Sequence, residues 1–447
     1  FRTLFTATAL AQLGTNVGYV AVPLIAVAAL DAGPGQVGLL ATLSTLAFLL
    51  IGLPAGAWVD RMRHRHVLIV ADLVKAALYA SVPLAWWLGG LTLWQLYAVA
   101  LLAGGATVFF DIGSQSVLPG LVGREHLVDA NAAVVGLMAV GNVAGRGAGG
   151  ALVQLLTAPL AIVATALSHL ASALRLTALH RTPVPAPAPR PASAPAPSPG
   201  LGAQIAEGLR HVLGNRELRA LAVTAALNNL GSQLVNTLLP LLFVRELRLS
   251  AGALGLFWAA GGAGILLGSR CARPIAARFG DGRTLALAGL CLAPAGLLVP
   301  LIGGGPWLPL AGAGWLLVSL KTGMDNVLGV SLRQRTTPDA LLGRMNATFR
   351  FLLTGALAIG SALSGLFGEL LGPRTTLWLG GAVLATAFLP VYLSPLRTRR
   401  RPPSAVPSTA VPAQAAPTTA PTSAERCAPA ASPVPDPGAG GGHAPAR

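Results

Sequence analysis

The chain has 447 residues, 53% of them hydrophobic and 10% charged, with a mean hydropathy of +0.66. A soluble domain carries about a quarter charged residues, so this composition excludes an ordinary water-soluble globule and points to a bilayer. The formal charge of +16 invites a nucleic-acid reading, which the placement of the basic residues excludes.

A bilayer core needs about 20 apolar residues per helix. Twelve stretches meet that: 4–29, 37–59, 67–88, 93–117, 130–156, 159–179, 220–244, 252–272, 284–303, 307–331, 346–371 and 375–395. They predict an all-α polytopic membrane protein of twelve transmembrane helices. Two six-helix halves, 1–181 and 220–396, are joined by a cytoplasmic linker over 182–219 and followed by a tail over 397–447.

On the first span Gln12, Asn16 and Tyr19 share one helical face. They are candidate cavity-lining groups, with interhelical hydrogen bonding as the plainer reading. The short stretch GAWVDRMRHRHVL follows the second span. A positive-inside loop explains Arg61, Arg63 and Arg65, but not the spacing Gly56-x-x-x-Asp60-Arg61. Asp111, with Gln115 one turn later, lies in the fourth span, where a charge is costly and therefore a functional candidate. It is a candidate proton carrier or one half of a fixed ion pair.

The fifth span contains GNVAGRGAGG, in which Gly141, Gly145, Gly149 and Gly150 permit close helix packing around Arg146. Three readings of Arg146 stand: a pair with Asp111 or Asp325, a cavity-lining group without a fixed partner, or a damaging replacement. His169 in the sixth span reads as a hydrogen-bonded core histidine.

Residues 182–200 are Pro/Ala-rich and cannot form a packed core. In the following LGAQIAEGLRHVLGNRELRAL, the spacing of Ile205, Leu209, Val212 and Leu213 predicts a helix lying on the cytoplasmic membrane surface. Asn229, Gln233 and Asn236 repeat the amide face on the seventh span, and Lys321 and Asp325 lie i, i+4 on the tenth. The tail is expected to be disordered. Its basic root, Arg397 with Arg399 to Arg401, is expected beside anionic lipid.

The two halves repeat. At an offset of 217, LGTN (13–16) falls on LGSQ (230–233), Pro23 on Pro240 and GLL (38–40) on GLF (255–257). Asp111 falls on Asp325 at 214; Asn131, Gly145 and Gly150 fall on Asn346, Gly360 and Gly365 at 215. Repeats of this kind place a substrate site near the midplane between halves that rock.

With the N-terminus inside, the outer loops hold only Arg245, Arg248 and Arg374; Lys75, Arg146, Lys321 and Arg350 lie within spans, and Arg175 and Arg270 are counted with the cytoplasmic side because they stand at the inner ends of theirs. The other 24 of 31 basic residues lie on the cytoplasmic side, so both termini are expected there and the charge is a topology signal. No nucleic-acid partner, metal, cofactor or disulfide framework is expected from three scattered cysteines. Neither is an enzyme or an ATP-driven pump, since no catalytic grouping or phosphate-binding loop is present. Arg outnumbers Lys 29 to 2, a bias that fits a GC-rich bacterial genome and a bacterial inner membrane. A first residue of Phe rather than Met leads us to expect a few residues before it.

GAWVDRMRHRH resembles the loop signature of the major facilitator superfamily, G-x-x-x-D-R-x-G-R-[KR]. Gly56, Asp60, Arg61 and Arg65 match; Arg63 and His64 depart from it. GNVAGRGAGG is similar to the fifth-helix antiporter signature G-x-x-x-G-P-x-x-G-G, with Arg146 in place of the proline. FFDIGSQSVLPGLVGREHLVDANA and EGLRHVLGNRELRAL resemble the enterobactin-exporter and macrolide-efflux branch. The resemblance covers about residues 1–396 and implies a cytoplasmic latch of the second helix against the eleventh, with Arg344 or Arg350 as candidate partners for Asp60. The family's fourth-helix arginine is absent, as no Lys or Arg occurs from 76 to 123. Taken together, these features predict proton-driven export of a small amphipathic molecule by a monomer. The alternatives are proton-coupled uptake, or a non-transporting sensor or inactivated copy.

Overall fold

A computed structural model describes residues 1–122, 126–178, 201–338 and 341–398, and every regular element among them is helical. With no water available in a bilayer core, a helix satisfies its backbone internally, which is what long apolar runs require. The first half comprises α1 (Arg2–Leu24), α2 (Pro34–Arg61), α3 (His64–Trp87), α4 (Leu93–Val122), α5 (Leu127–Leu156) and α6 (Ala158–Thr177). The linker contributes α7 (Leu201–Gly214). The second half comprises α8 (Arg216–Asn236), α9 (Leu239–Leu241), α10 (Ala251–Phe279), α11 (Asp281–Leu292, continued as a 3-10 segment Ala293–Leu301), α12 (Trp307–Thr336), α13 (Leu342–Leu370), α14 (Pro373–Thr386) and α15 (Leu389–Tyr392). Local signals set the boundaries: Pro34 opens α2 with Gln36 capping back onto Gly33 N at 2.9 Å, and Asn215 caps α8 through Glu217 N at 2.9 Å.

Nine described helical segments are long and apolar enough to cross a membrane by length and composition. The expected spans 130–156, 220–244 and 307–331 are helical as α5, α8 and α12 but fall outside those nine. Their polarity sets them apart: Asn142 and Arg146 in α5, Asn228, Asn229 and Gln233 in α8, Lys321, Asp325 and Asn326 in α12.

The core is divided unevenly. One apolar cluster draws on both halves, with Val20, Leu24 and Ile162 packed among Leu238, Phe243 and Trp258. The other two are each confined to one half: Leu4, Leu68, Phe110 and Leu176 in the first, and Leu285, Met345 and Phe349 in the second. The bundle is therefore joined at the end that carries residues 24–38 and 238–255, and its core parts in two toward the other end.

Two glycine contacts make the joined end possible. A Cβ at Gly38 of α2 would stand 2.3 Å from the Gly365 Cα of α13, and one at Gly150 of α5 would stand 2.8 Å from the Gly255 Cα of α10. These contacts are related by the sequence offsets of 217 and 215, so the repeat is visible as a pseudo-two-fold interface. Beyond α1 the chain widens into a π turn, Ile25–Ala29, and beyond α9 into another, Leu242–Glu246, again 217 residues on. Arg245 of the second turn donates to Val27 O at 3.1 Å in the first and pairs with Asp31 at 2.5 Å.

The helix α7 departs from expectation. It packs along α13 rather than only against a membrane surface, with Val212 fully buried and Glu207 paired to Arg344. The reason is Gly208: a Cβ there would meet Thr348 Oγ1 at 2.6 Å and Arg344 O at 3.0 Å, so α7 lies too close to α13 for any side chain. Leu209 and Leu213 remain exposed on its other face. Ile205's side chain, the 182–200 segment and Arg399 to Arg401 lie outside the described residues.

Candidate functional site

Polar groups converge in three places. At the joined end, four residues on four helices make one chain. The Arg146 guanidinium of α5 lies 4.3 Å above the Tyr19 ring of α1, and Tyr19 meets Trp258 of α10 edge-on at 5.1 Å. Trp258 Nε1 then donates to Asn236 Oδ1 of α8 at 2.8 Å. Two of these residues come from each half, so the chain ties them together at the head of the space between them. Arg146 Nε is buried with no hydrogen-bond partner among the described residues, and Arg146 forms no ion pair there. The expected pairing with Asp111 or Asp325 is not made. Helix register supplies Tyr19 three residues after Asn16, and cation–π contact replaces a carboxylate.

The second place is in the second half. Lys321 Nζ lies 2.7 Å from Asp325 Oδ2 on the same face of α12, and Asn228 of α8 bridges both, accepting from Lys321 at 3.2 Å and donating to Asp325 at 3.0 Å. Lys321 is 1% exposed, so its charge is fully committed to this pair. Asn229, donating to Leu353 O at 3.0 Å, Asn326 and Arg333 line a cleft of about 70 Å³ beside Asp325. Asn228 was not singled out from the sequence; the Asn228–Asn229 doublet was the available signal.

The third place is buried in the first half. Asp72 Oδ1 accepts from Lys75 Nζ at 3.1 Å and from His169 Nδ1 at 3.0 Å, while Ser172 donates to Oδ2 at 2.5 Å. Each of these four residues is at most 2% exposed. Sequence reasoning missed Asp72, whose signal was the i, i+3 spacing to Lys75; its bond to His169 spans 97 positions and had no local trace. Asp111 makes no side-chain hydrogen bond or ion pair among the described residues, and its neighbour Phe110 lies 4.6 Å from Lys75 Nζ.

Within the paired polar faces, Tyr19 and Asn236 join the Arg146 chain, whereas Asn16 and Gln233 pack against glycines. Asn16 is buried and lies where a Cβ on Gly145 would come within 2.6 Å; Gln233 takes the same place against Gly360 at 2.9 Å and donates to Ser361 Oγ at 2.8 Å. Gly141 faces Gln12 and Asn16, and Gly149 faces Val17 and Val20. Gln12 is half-buried and Gln115 exposed.

Of the expected latch, Arg344 goes to Glu207 and Arg350 stacks over Phe48 of α2 at 4.3 Å. Arg65 donates to the carbonyls of Leu176, at 3.3 Å, and Thr177 at the end of α6, and Arg61 is exposed. Gly56 and the side chain of Asp60 lie outside the described residues. A groove of about 840 Å³ among α2, α3 and α4 is walled by Leu50, Val70 and Leu102.

These features have counterparts in known proteins. The multidrug efflux pump Tap of Mycobacterium tuberculosis is 28% identical over 405 residues, 89% of this chain and 94% of that protein. The enterobactin exporter EntS of Escherichia coli is 27% identical over 419 residues, 91% of this chain and 95% of its own length. Among solved structures, a bacterial homologue of the lysosomal transporter Spinster, inward-facing and occupied, superposes with a TM-score of 0.70 at 14% identity. The match covers 90% of this chain and 98% of that one. A family model for transmembrane secretion effectors matches residues 1–420. With its all-helical, pseudo-symmetric halves, this chain belongs to the transmembrane secretion effector family of major facilitator transporters, as a bacterial multi-pass membrane protein.

Proposed function

We propose that the chain is a proton-driven exporter of small amphipathic organic molecules, working by alternating access as a monomer in the inner membrane with both termini in the cytoplasm. The single observation that carries this is the division of the core: one cluster shared by both halves at one end, and separate clusters at the other. With 24 of 31 basic residues on one side, the parted end is the cytoplasmic one, and the arrangement is inward-facing. A substrate entering there meets the Arg146–Tyr19–Trp258–Asn236 chain at its head. Aromatic faces suit an apolar body, and the guanidinium suits an electron-rich or anionic group. Tap and EntS are named for efflux and export, and that direction is the one we assign here.

The test is flux in everted membrane vesicles, using lipophilic dyes and antibiotics with and without a pH gradient. Gradient-dependent accumulation is expected, and Arg146→Lys, which keeps the charge but loses the planar stack, should lower it several-fold. Accumulation that ignores the gradient would end the proton claim. Equal flux in Arg146→Lys would remove Arg146 from the site.

A further inference from the structure

The cluster around Asp72 is more than a buried ion pair, because two cationic groups compete for one oxygen. Lys75 Nζ and His169 Nδ1 both lie on Asp72 Oδ1, and Oδ2 is already taken by Ser172. With the imidazole neutral, Lys75 and Asp72 balance in charge. With it protonated, a fully buried site holds two positive charges and one negative, an arrangement that low dielectric strongly disfavours.

The imidazole has room for that proton. Nδ1 donates to the carboxylate, which leaves Nε2 as a bare acceptor, and Nε2 is buried without a hydrogen-bond partner among the described residues. One turn back along α6, Thr165 Oγ1 is buried and equally partnerless. Both face α1 at its two glycines: Cβ positions on Gly14 and Gly18 would stand 3.4 Å from the His169 ring and 3.3 Å from Thr165. Two orphaned polar atoms thus lie side by side along a glycine seam.

Lys75 also has somewhere to go. Its Nζ lies 4.6 Å from the Phe110 ring, Asp111 is the next residue of α4 and has no side-chain hydrogen bond or ion pair among the described residues, and Arg350 reaches this half by stacking over Phe48 at 4.3 Å. Arg350 belongs to α13 in the other half. The titratable and charged groups around the imidazole are thus Asp72, Lys75 and Tyr79 from α3, with Tyr79 stacked on the ring at 5.9 Å, and Asp111 from α4. Helix α1 supplies none, and Arg65 is occupied by the Leu176 and Thr177 carbonyls.

We propose that His169 binds the driving proton and that Lys75 is the charge it displaces, from Asp72 toward Asp111. This rests on the proton-driven reading above. The proton adds to the Nε2 lone pair and later leaves it for water, so no bond between heavy atoms changes. The arrival of Lys75 at Asp111 weakens the pull of Asp111 on Arg350, and so carries a change in the first half across to the second.

The experiment needs no substrate, so a failed flux measurement does not bear on it. Protein labelled with ¹⁵N-histidine is reconstituted in lipid nanodiscs and titrated from about pH 5.5 to 8.5, with His169→Gln assigning the resonance. In parallel, spin labels at Cys271 and at Ala178→Cys, with Cys291→Ser and Cys427→Ser, report the separation of the halves at the parted end. The expected result is a ring that gains its second proton within this range, with the label distance changing alongside it. His169→Gln should leave the distance flat, and in Lys75→Met the ring should take its proton at higher pH, the competing charge being gone, without moving the labels. A ring that stays neutral throughout overturns the proposal, as does a distance that follows pH equally in His169→Gln. Titration without any distance response in the unaltered residues would overturn the role of Lys75.

Discussion

The chain has only two lysines, Lys75 and Lys321, and both are buried inside helical bundles beside an aspartate of their own helix. The other 29 basic residues are arginine. An ammonium is a compact point charge that can be moved or neutralised, whereas a guanidinium holds its charge and spreads it, so the division has a physical sense. At Lys321 it sets up an asymmetric prediction. Asp325→Asn leaves Lys321, 1% exposed, as an uncompensated buried charge and should cost about 3 kcal/mol, read as a lowered melting temperature in detergent. Lys321→Met leaves Asp325, whose side chain is 18% exposed and still bonded to Asn228, and should cost less. The Lys321–Asp325 pair was legible in the sequence because four residues are one helical turn. Asp72 with His169 was not, because nothing in a linear spacing of 97 residues says that α3 and α6 lie side by side.

At the scale of elements, the internal repeat carried most of what could be read ahead of the structure. The glycines aligned by offset, Gly145 with Gly360 and Gly150 with Gly365, make equivalent contacts in the two halves. On a helical wheel Asn16 and Gln233 read either as cavity groups or as interhelical packing, and each stands against a glycine of the neighbouring helix. Arg344 likewise answers to Glu207 because Gly208 brings α7 against α13, a contact between segments more than a hundred residues apart. The repeat also exposes a mismatch. Gly372, between α13 and α14, has φ 86°, and its counterpart between α5 and α6 is Thr157 with φ 75° and ψ 157°. That region is almost exclusive to glycine and costs about 1–3 kcal/mol for other residues. Thr157→Gly should therefore raise thermal stability by about 1 kcal/mol, measured by the melting temperature of the purified protein; an unchanged or lower value would mean Thr157 gains there what its backbone loses.

For the whole molecule, the decisive quantity is how closely the halves meet at the joined end. Hydropathy alone yielded the helices, and the basic residues yielded an orientation, but the parting of the core depends on contacts between distant segments and had no sequence trace. Gly38→Val places two methyls where the Gly365 backbone already stands, so the joined end should no longer close. Spin labels flanking that end are expected to show a longer distance in the variant, and a distance unchanged from the parent would contradict this account of the interface.

The two π turns carry one more implication. Ile25–Ala29 and Leu242–Glu246 share an uncommon backbone geometry at the 217 offset, each followed by a non-glycine residue at positive φ: Asp31 at 52° and Arg248 at 50°. Apart from the valine at the third position, Val27 and Val244, their side chains differ, IAVAA against LFVRE. An irregular backbone that recurs at the same place while four of its five residues differ is set by its position in the repeat more than by its side chains. Because Arg245 reaches from one turn to Val27 O and Asp31 beside the other, the two bends are fastened to each other, and a shift in either half at this end is felt at the corresponding bend of its counterpart.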